Sequence, residues 1–241
     1  MELLDPKNLF SLIDELNIPE IYKLRSLQNF LHHYKIQPKT ILDLGARDLY
    51  ESIWFSVKYP GARVHSFECN PDMVPLCQTR SQYFPNIAFN AAAVGSREDV
   101  VTFYKVDQDA TKSQSNLPYY IQKDGNPGAS SLFLSADKIY KQTQVEVPLV
   151  RLDGYLENKS ISQIDLLWMD IQGAELDALK GLGDYINLTK MIHTEVPIGG
   201  NTEYKGAPTF NELNEYLVEK GFEVVGKGQM DLIYLNKNII W

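Results

Sequence analysis

Acidic residues close several of the apolar runs in this chain. Residues 40–44 form one such run, with Asp43 inside it and Gly45 directly after it, and residues 63–67 form a second, followed by Glu68. Short apolar runs bounded by turn residues are typical of buried parallel strands. An acid at the end of such a strand can accept hydrogen bonds from the hydroxyls of a nucleoside ribose. The pattern therefore predicts a site for a nucleoside-containing cofactor, although an ordinary strand-to-helix turn with a solvated Glu68 would look the same.

The glycines that are missing from the first loop narrow the choice of cofactor. Dinucleotide sites use Gly-x-Gly-x-x-Gly so that the backbone can approach a pyrophosphate. Here only Gly45 is present, with Arg47 and Leu49 where further glycines would fall, and no Gly-x-x-x-x-Gly-Lys-Ser/Thr occurs in the chain. S-adenosylmethionine (SAM) has a ribose and an adenine but no phosphate, so it needs less glycine. We therefore expect SAM rather than a nicotinamide cofactor, and this disfavours an oxidoreductase.

Two later runs end in acids near the same predicted edge of the sheet. Residues 164–169 lead into Asp170, and residues 191–195 carry His193 and Glu195. We expect Asp170 to lie near the reacting group, with a helix cap as the alternative. His193 and Glu195 are two apart on a strand and so share a face, where either could take a proton from an acceptor. A packed core histidine is the alternative for His193. Asp170 and Glu195 are too few to predict a metal site.

The elements that must position these residues alternate between strand-like and helical patterns, which predicts an α/β sheet. Apolar stripes predict helices in residues 1–37, and two strands joined by a turn are expected in residues 222–240. The small side chains of residues 91–95 predict a turn with room for an adenine ring, or simple packing of helix on sheet. Residues 107–131 are rich in polar residues, glycine and proline, and predict a substrate-side loop, with disorder as the alternative.

Composition limits the kinds of partner. The formal net charge is −8 and no basic run is present, so a nucleic-acid partner is not expected. The two cysteines, Cys69 and Cys77, fit neither a redox pair nor a zinc knuckle. No apolar stretch is long enough for a transmembrane helix, and no signal peptide is visible. A cytoplasmic setting without membrane contact is expected, and nothing in the sequence indicates an oligomeric state.

Four blocks of sequence, taken together, resemble the FkbM-type family of SAM-dependent methyltransferases. They are Leu-Asp-Leu-Gly-Ala at 42–46, Phe-Glu-Cys-Asn-Pro at 67–71, Asn-Ala-Ala-Ala-Val-Gly at 90–95, and residues 164–181, where Met-Asp-Ile-Gln-Gly-Ala-Glu precedes a Leu-rich helix. The resemblance implies a Rossmann-like methyltransferase fold, a mostly parallel seven-stranded sheet with a C-terminal antiparallel hairpin. It also implies methyl transfer, mostly to oxygen of small molecules or sugars. The chain departs from the family pattern at Arg47-Asp48-Leu49, and at Trp168, where a lysine is common.

The sequence predicts two parts of the chain. Residues 1–37 are predicted to form an N-terminal helical cover, and residues 38–241 the SAM-dependent methyltransferase domain. Its acceptor is predicted to be a small molecule or sugar. A catalytically silent SAM-fold binding or interaction protein is the alternative, because the first loop is altered. The predicted catalytic residues are Asp170, His193 and Glu195, and the predicted cofactor-binding residues are Asp43, Gly45, Ala46, Arg47, Glu68, Asn70, Ala92, Ala93, Val94 and Asp170.

Overall fold

A computed structural model describes residues 19–195, 203–228 and 230–239 of the chain. Its main sheet contains seven strands, and a second sheet contains three. In chain order the strands are β1 Thr40–Leu44, β2 Arg63–Phe67, β3 Ile87–Asn90, β4 Ala93–Gly95, β5 Asp99–Val106, β6 Gln142–Arg151, β7 Ile164–Met169, β8 Thr189–Glu195, β9 Phe222–Lys227 and β10 Asp231–Asn236.

The strand order of the main sheet is β3-β2-β1-β7-β8-β10-β9. β1 pairs in parallel with β2 and β7, β2 with β3, and β7 with β8. β10 lies between β8 and β9 and is antiparallel to both, so it is the reversed strand of the sheet. The predicted Rossmann-like methyltransferase sheet with its C-terminal hairpin is confirmed. The order reverses between β1 and β7, and the crevice outside the carboxyl ends of such strands is where α/β sheets bind ligands.

Helices cover both faces of the main sheet. The α-helices of the described residues are α1 Pro19–His33, α2 Tyr50–Lys58, α3 Val74–Ser81, α4 Gln108–Lys112, α5 Tyr119–Asp124, α6 Leu152–Asn158, α7 Glu175–Gly181 and α8 Phe210–Glu219, of which α4 and α5 pack against each other. Successive strand residues point to opposite faces, so Ile41 packs with the α1 and α2 residues, whereas Leu42 packs with those of α6, α7 and α8. The core therefore has two halves, one on each side of the sheet.

The N-terminal helix is fixed by its apolar stripe and by its end. Leu24, Leu27 and Leu31 are buried in the half of the core that also contains Ile41. After α1 ends at His33, Lys35 adopts φ 54°, and the Ile36 amide donates to the carbonyl of Leu31 at 2.8 Å, which is the Schellman arrangement. The helix predicted in residues 1–18 lies outside the described residues.

Two expectations about irregular segments were wrong in part. Residues 107–131 are not a structureless loop, because they contain α4, α5 and a short 3-10 turn, Pro127–Ala129. Residues 93–95 are not a turn but strand β4, which pairs in parallel with β6 in the three-stranded sheet. None of the helices in the described ranges is both long and apolar enough to cross a membrane.

Candidate functional site

A cavity of about 430 Å³ opens along the carboxyl ends of the central strands. This volume lies within the usual ~300–1,000 Å³ range of small-molecule sites. The predicted site residues that line it are Gly45, Arg47, Glu68, Asn70, Ala92, Ala93, Val94, Asp170 and Glu195. Asp43, Ala46 and His193 are buried and do not line it. The cavity therefore brings together the acids that follow or end the strands.

Gly45 sits where β1 and β7 come closest to the ligand crevice. Its φ is +87°, and a Cβ at this position would lie 2.0 Å from the carbonyl oxygen of Asp170. Its amide donates to the carbonyl of Phe67 at 3.0 Å, while the Asp170 amide donates to the carbonyl of Leu44 at 3.0 Å. Only glycine combines this backbone conformation with this close approach.

The altered first loop keeps a tight turn without further glycines. Arg47 and Leu49 have φ values of 46° and 71°, the left-handed region that costs a side-chain-bearing residue free energy. Local bonds hold the turn: the Leu49 amide donates to the carbonyl of Ala46 at 2.6 Å, and the thiol of buried Cys77 donates to the carbonyl of Arg47 at 3.0 Å. The loop therefore turns tightly at two residues that carry side chains.

Glu68 is held by backbone donors on both sides. The Arg47 amide donates to its Oε2 at 2.8 Å and the Asn70 amide to its Oε1 at 2.6 Å. Burial raises the pKa of Glu68 to about 7, although these hydrogen bonds oppose the rise. Each oxygen accepts one backbone hydrogen bond and has capacity for another. The carboxylate is thus fixed in orientation with acceptor capacity left for hydroxyl groups of a ligand.

The turn after β7 is organised by two residues that the sequence did not single out. The Glu175 carboxylate accepts from the amides of Ile171 and Gly173 at 3.1 and 3.0 Å. Gln172 donates through Nε2 to Asp170 Oδ1, and its Oε1 accepts from the Tyr204 hydroxyl at 2.6 Å. The N-cap of α7 is Ala174, so the alternative role of Asp170 as a helix cap is not what the structure shows.

Asp170 and Glu195 form a pair of acids at the ends of neighbouring strands. Gln172 Nε2 lies 3.4 Å from Glu195 Oε2 and so connects both acids. Burial raises the pKa of Glu195 to about 9, the adjacent Asp170 adds to the rise, and Lys23 opposes it. Two carboxyl groups this close resist losing both protons. Burial and the neighbouring acid therefore favour the protonated form of Glu195 at the cavity wall.

With this geometry established, comparison with known proteins decides the family. The profile described as "Methyltransferase FkbM domain" matches residues 43–224. The chain belongs to the FkbM methyltransferase family. This confirms the resemblance seen in the four sequence blocks, and the methyl donor of the family is SAM.

The individual relatives share only about a quarter of their aligned residues with this chain. The chain is 26% identical over 155 residues to the 2-O-methyltransferase NoeI of Sinorhizobium fredii, covering 64% of this chain and 62% of that protein. It is 27% identical over 207 residues to the AMB antimetabolite synthetase AmbE of Pseudomonas aeruginosa, covering 76% of this chain and 9% of AmbE. The chain thus spans less than two thirds of either relative. Among solved structures, fibrillarin of Aeropyrum pernix with bound SAM is similar at 10% identity and a TM-score of 0.47, over 83% of this chain and 68% of fibrillarin.

The acidic lining of this FkbM-family cavity suits a cationic cofactor, because a bound cation favours the ionised form of nearby carboxyl groups. The described lining residues include five acids, Glu51, Glu68, Asp170, Glu195 and Glu203, and two cations, Lys23 and Arg47. Glu51, in the first turn of α2, was missed from sequence because an acid there looks like an ordinary surface residue. Burial raises its pKa to about 8. SAM carries a sulfonium and an ammonium against one carboxylate, so the residues present fit it.

Two predicted site residues that do not line the cavity lie within the sheet: Asp43, predicted to bind the cofactor, is one position before the end of β1, and His193, predicted as a base, is two positions before the end of β8. Asp43 accepts from the Ser52 hydroxyl, and burial raises its pKa to about 7. His193 stacks on the Trp168 ring with centroids 3.8 Å apart, and burial lowers its pKa to about 3. Trp168 does line the cavity. A neutral, stacked histidine agrees with the packing alternative, and its role as a base is a prediction that this geometry does not favour.

The polar segment 107–131 supplies part of the cavity wall. Asn126 and Ser130 line it, and Asn70 Nδ2 lies 3.4 Å from Ser130 Oγ, which connects this segment to the strand ends. Tyr120 of this segment lines the cavity and is 59% exposed, whereas Tyr119 does not line it. Within the described residues, no group of three or more potential ligands is placed to hold a metal ion.

Proposed function

We propose that this protein transfers the methyl group of SAM to a hydroxyl oxygen of a small molecule or sugar. The observation that carries the proposal is the acid pair Asp170–Glu195, which lies beyond the switch point in the same cavity as Glu68. Three strand spacings separate the ends of β2 and β8 in the order β2-β1-β7-β8, or about 14 Å at ~4.8 Å per strand. This distance leaves room for a cofactor and an acceptor side by side.

The order of lining residues along the sheet edge matches the order of parts in SAM. Ala92 to Val94, beyond β3, would flank the adenine, and Glu68 would accept hydrogen bonds from the ribose hydroxyls. Gly45 gives the methionyl part close access to the backbone, and Glu51 is placed to balance its ammonium charge. Asp43 and Ala46 would support the site from behind the cavity wall, because both are buried and do not line the cavity.

Bound SAM supplies an electrophilic methyl group on sulfur. The chain must then align the acceptor oxygen and remove its proton. Glu195 in its ionised form, with Asp170 beside it, would take that proton as the oxygen gains the methyl group, and would release it to solvent afterwards. Gln172 and Tyr204 orient the pair. Tyr120, exposed at the rim, offers an aromatic surface for an acceptor ring.

The relatives support acceptor oxygen chemistry. NoeI is described as a 2-O-methyltransferase, and a hydroxyl acceptor needs a base at the position where this cavity has two acids. A second cavity of about 50 Å³ adjoins the first and shares Gln172, Glu195 and Tyr204 with it. Its other lining residues include Leu176, Pro208 and Leu213, so it would suit an apolar part of the acceptor.

The experiment begins with SAM binding measured by calorimetry on the wild type, followed by a mass-spectrometric screen for methylated sugars and hydroxylated small molecules. Glu195→Gln is the test variant. It should bind SAM within threefold of the wild type but form product about 10²–10⁴-fold more slowly, the usual contribution of a general base. Glu219→Gln, an exposed acid on α8, is the matched control. Absence of SAM binding would refute the proposal, and binding without any product would favour a silent SAM-binding protein.

A further inference from the structure

A lysine from the N-terminal helix reaches the acid pair. α1 is fixed by Leu24 and Leu27, which are fully buried, and Lys23, one residue before Leu24, lines the cavity. Lys23 Nζ lies 3.0 Å from Asp231 Oδ1. Both residues lie outside residues 43–224, the span of the family match. This ion pair thus lies outside the part of the chain that the family profile matches.

The ion pair lies beside Glu195. Asp231 and Glu195 are directly opposite in the antiparallel pairing of β10 with β8. Side chains of directly opposite residues point to the same face with Cβ atoms about 4.5–5.5 Å apart. Burial works against the charge of Lys23, but Glu195, Asp231 and Asp170 outweigh it and raise the lysine pKa. Lys23 therefore interacts with all three acids.

The other groups around Glu195 supply little positive charge. Asp170 follows β7, Glu203 lines the same cavity, and Glu175 lines the small cavity that Glu195 shares. His193 on the same strand is neutral, because burial lowers its pKa to about 3. Gln172 and Tyr204 are uncharged partners. The second cation among the described lining residues, Arg47, lies on the first loop, near Glu68.

We propose that Lys23, held by Asp231, is a positioning residue of the methyl-transfer site that keeps the Asp170–Glu195 pair able to accept the acceptor proton. The inference rests on the proposed function of that pair. A cation beside a crowded set of acids favours loss of a proton from the set. Without Lys23, the pair would hold its proton more tightly near neutral pH, and Glu195 would be less available as a base.

The test follows the ionisation of Glu195 directly, and so does not require the acceptor. In the SAM complex, the carboxyl ¹³C signal of Glu195 is titrated with pH after assignment with Glu195→Gln. Lys23→Met should raise the midpoint by about one pH unit, the effect of losing a nearby opposite charge. Lys23→Arg should restore it to within about 0.3 unit, since it keeps the charge. Lys39→Met changes an exposed lysine at the amino end of β1, far from the acid pair, and should leave the Glu195 midpoint unchanged.

Asp231→Asn is the comparison for the set of acids. It removes one negative neighbour, so the midpoint of Glu195 should fall while Lys23 is present, and the double variant Lys23→Met with Asp231→Asn should have a higher midpoint than Asp231→Asn. Lys23 has a side chain 32% exposed, so Lys23→Met should fold; if it does not, the comparison of Asp231→Asn with the double variant decides. A wild type that fails to bind SAM would refute the proposed function. SAM binding with an unchanged midpoint in Lys23→Met, or with equal midpoints in Asp231→Asn and the double variant, would refute the role of Lys23 alone.

Discussion

Glu68→Gln is the substitution that most directly tests the cofactor site. The Glu68 carboxylate accepts hydrogen bonds from the amides of Arg47 and Asn70 at 2.8 and 2.6 Å, and would accept two more from the ribose hydroxyls. Glutamine has the same shape, but it carries no charge and replaces one acceptor oxygen with a donor NH₂. That NH₂ must face an amide hydrogen of Arg47 or Asn70, so one backbone donor loses its partner.

The expected loss follows from these contacts. Hydrogen bonds to a charged group contribute about 1.5–3 kcal/mol, and those between neutral groups about 0.5–1.5 kcal/mol. A difference of roughly 1–1.5 kcal/mol for each of two hydroxyls gives about 2–3 kcal/mol. At 1.4 kcal/mol per factor of ten, Kd for SAM should rise about 30–150-fold. Calorimetry at pH 8 measures this, because wild-type Glu68, with its pKa raised to about 7, is then mostly ionised.

The pH dependence supplies the control. The ionised form of Glu68 binds hydroxyl donors, so wild-type affinity should weaken about tenfold between pH 8 and pH 6 through this group. The SAM affinity of Glu68→Gln should not show this tenfold change with pH, whereas that of Glu219→Gln should change as in the wild type. A Glu68→Gln variant that folds normally and binds SAM within threefold of the wild type at pH 8 would refute the assignment of Glu68 to the ribose.

Three further results are expected. Gly45→Ala should abolish SAM binding and lower the free energy of unfolding in urea by more than about 2 kcal/mol, because its Cβ would meet the Asp170 carbonyl at 2.0 Å and its φ is +87°; a normal unfolding midpoint would contradict this. Without SAM, Tm should fall by about 4–8 °C between pH 6.5 and 8.5, since Glu51 and Glu195, with pKa values of about 8 and 9, keep protons there that the unfolded chain has already lost. An unchanged Tm would show that these acids are ionised in the folded protein. Lys35→Gly should raise Tm by about 2–4 °C, because glycine adopts φ 54° at the end of α1 without strain; Lys39→Gly, where no positive φ is present, should not.

Local sequence patterns were sufficient for the main sheet. A strand buried on both faces needs a mostly apolar run, as in β7, and a glycine or an acid follows its last residue, as Gly45 follows β1 and Asp170 follows β7. The ends of parallel strands meet at one edge whatever the details of packing, so Glu68, Asp170 and Glu195 could be placed together in advance. The capping box from Thr209 to Glu212 likewise marks the start of α8 in the sequence itself.

Tertiary contacts decided what those patterns do not contain. α4 and α5, of five and six residues, are too short to be stable alone and form because they pack in place. The three residues of β4 become a strand only by pairing with β6, more than fifty positions away. The alternation of strand side chains predicts which face of the sheet Asp43 and His193 occupy. Only the structure shows that α2 and the Trp168 ring cover that face at these two positions.

The same reason explains Lys23 and Glu51. Each lies on a helix where a charged residue suits solvent equally well, and nothing within a few positions indicates a ligand cavity. Leu24 and Leu27 set the rotation of α1, and that rotation carries Lys23 to Asp231 and Glu195. The sequence determined which acids stand at the sheet edge, through local rules of strand length and alternation. The tertiary structure decided which cations reach them, because that depends on how distant helices pack.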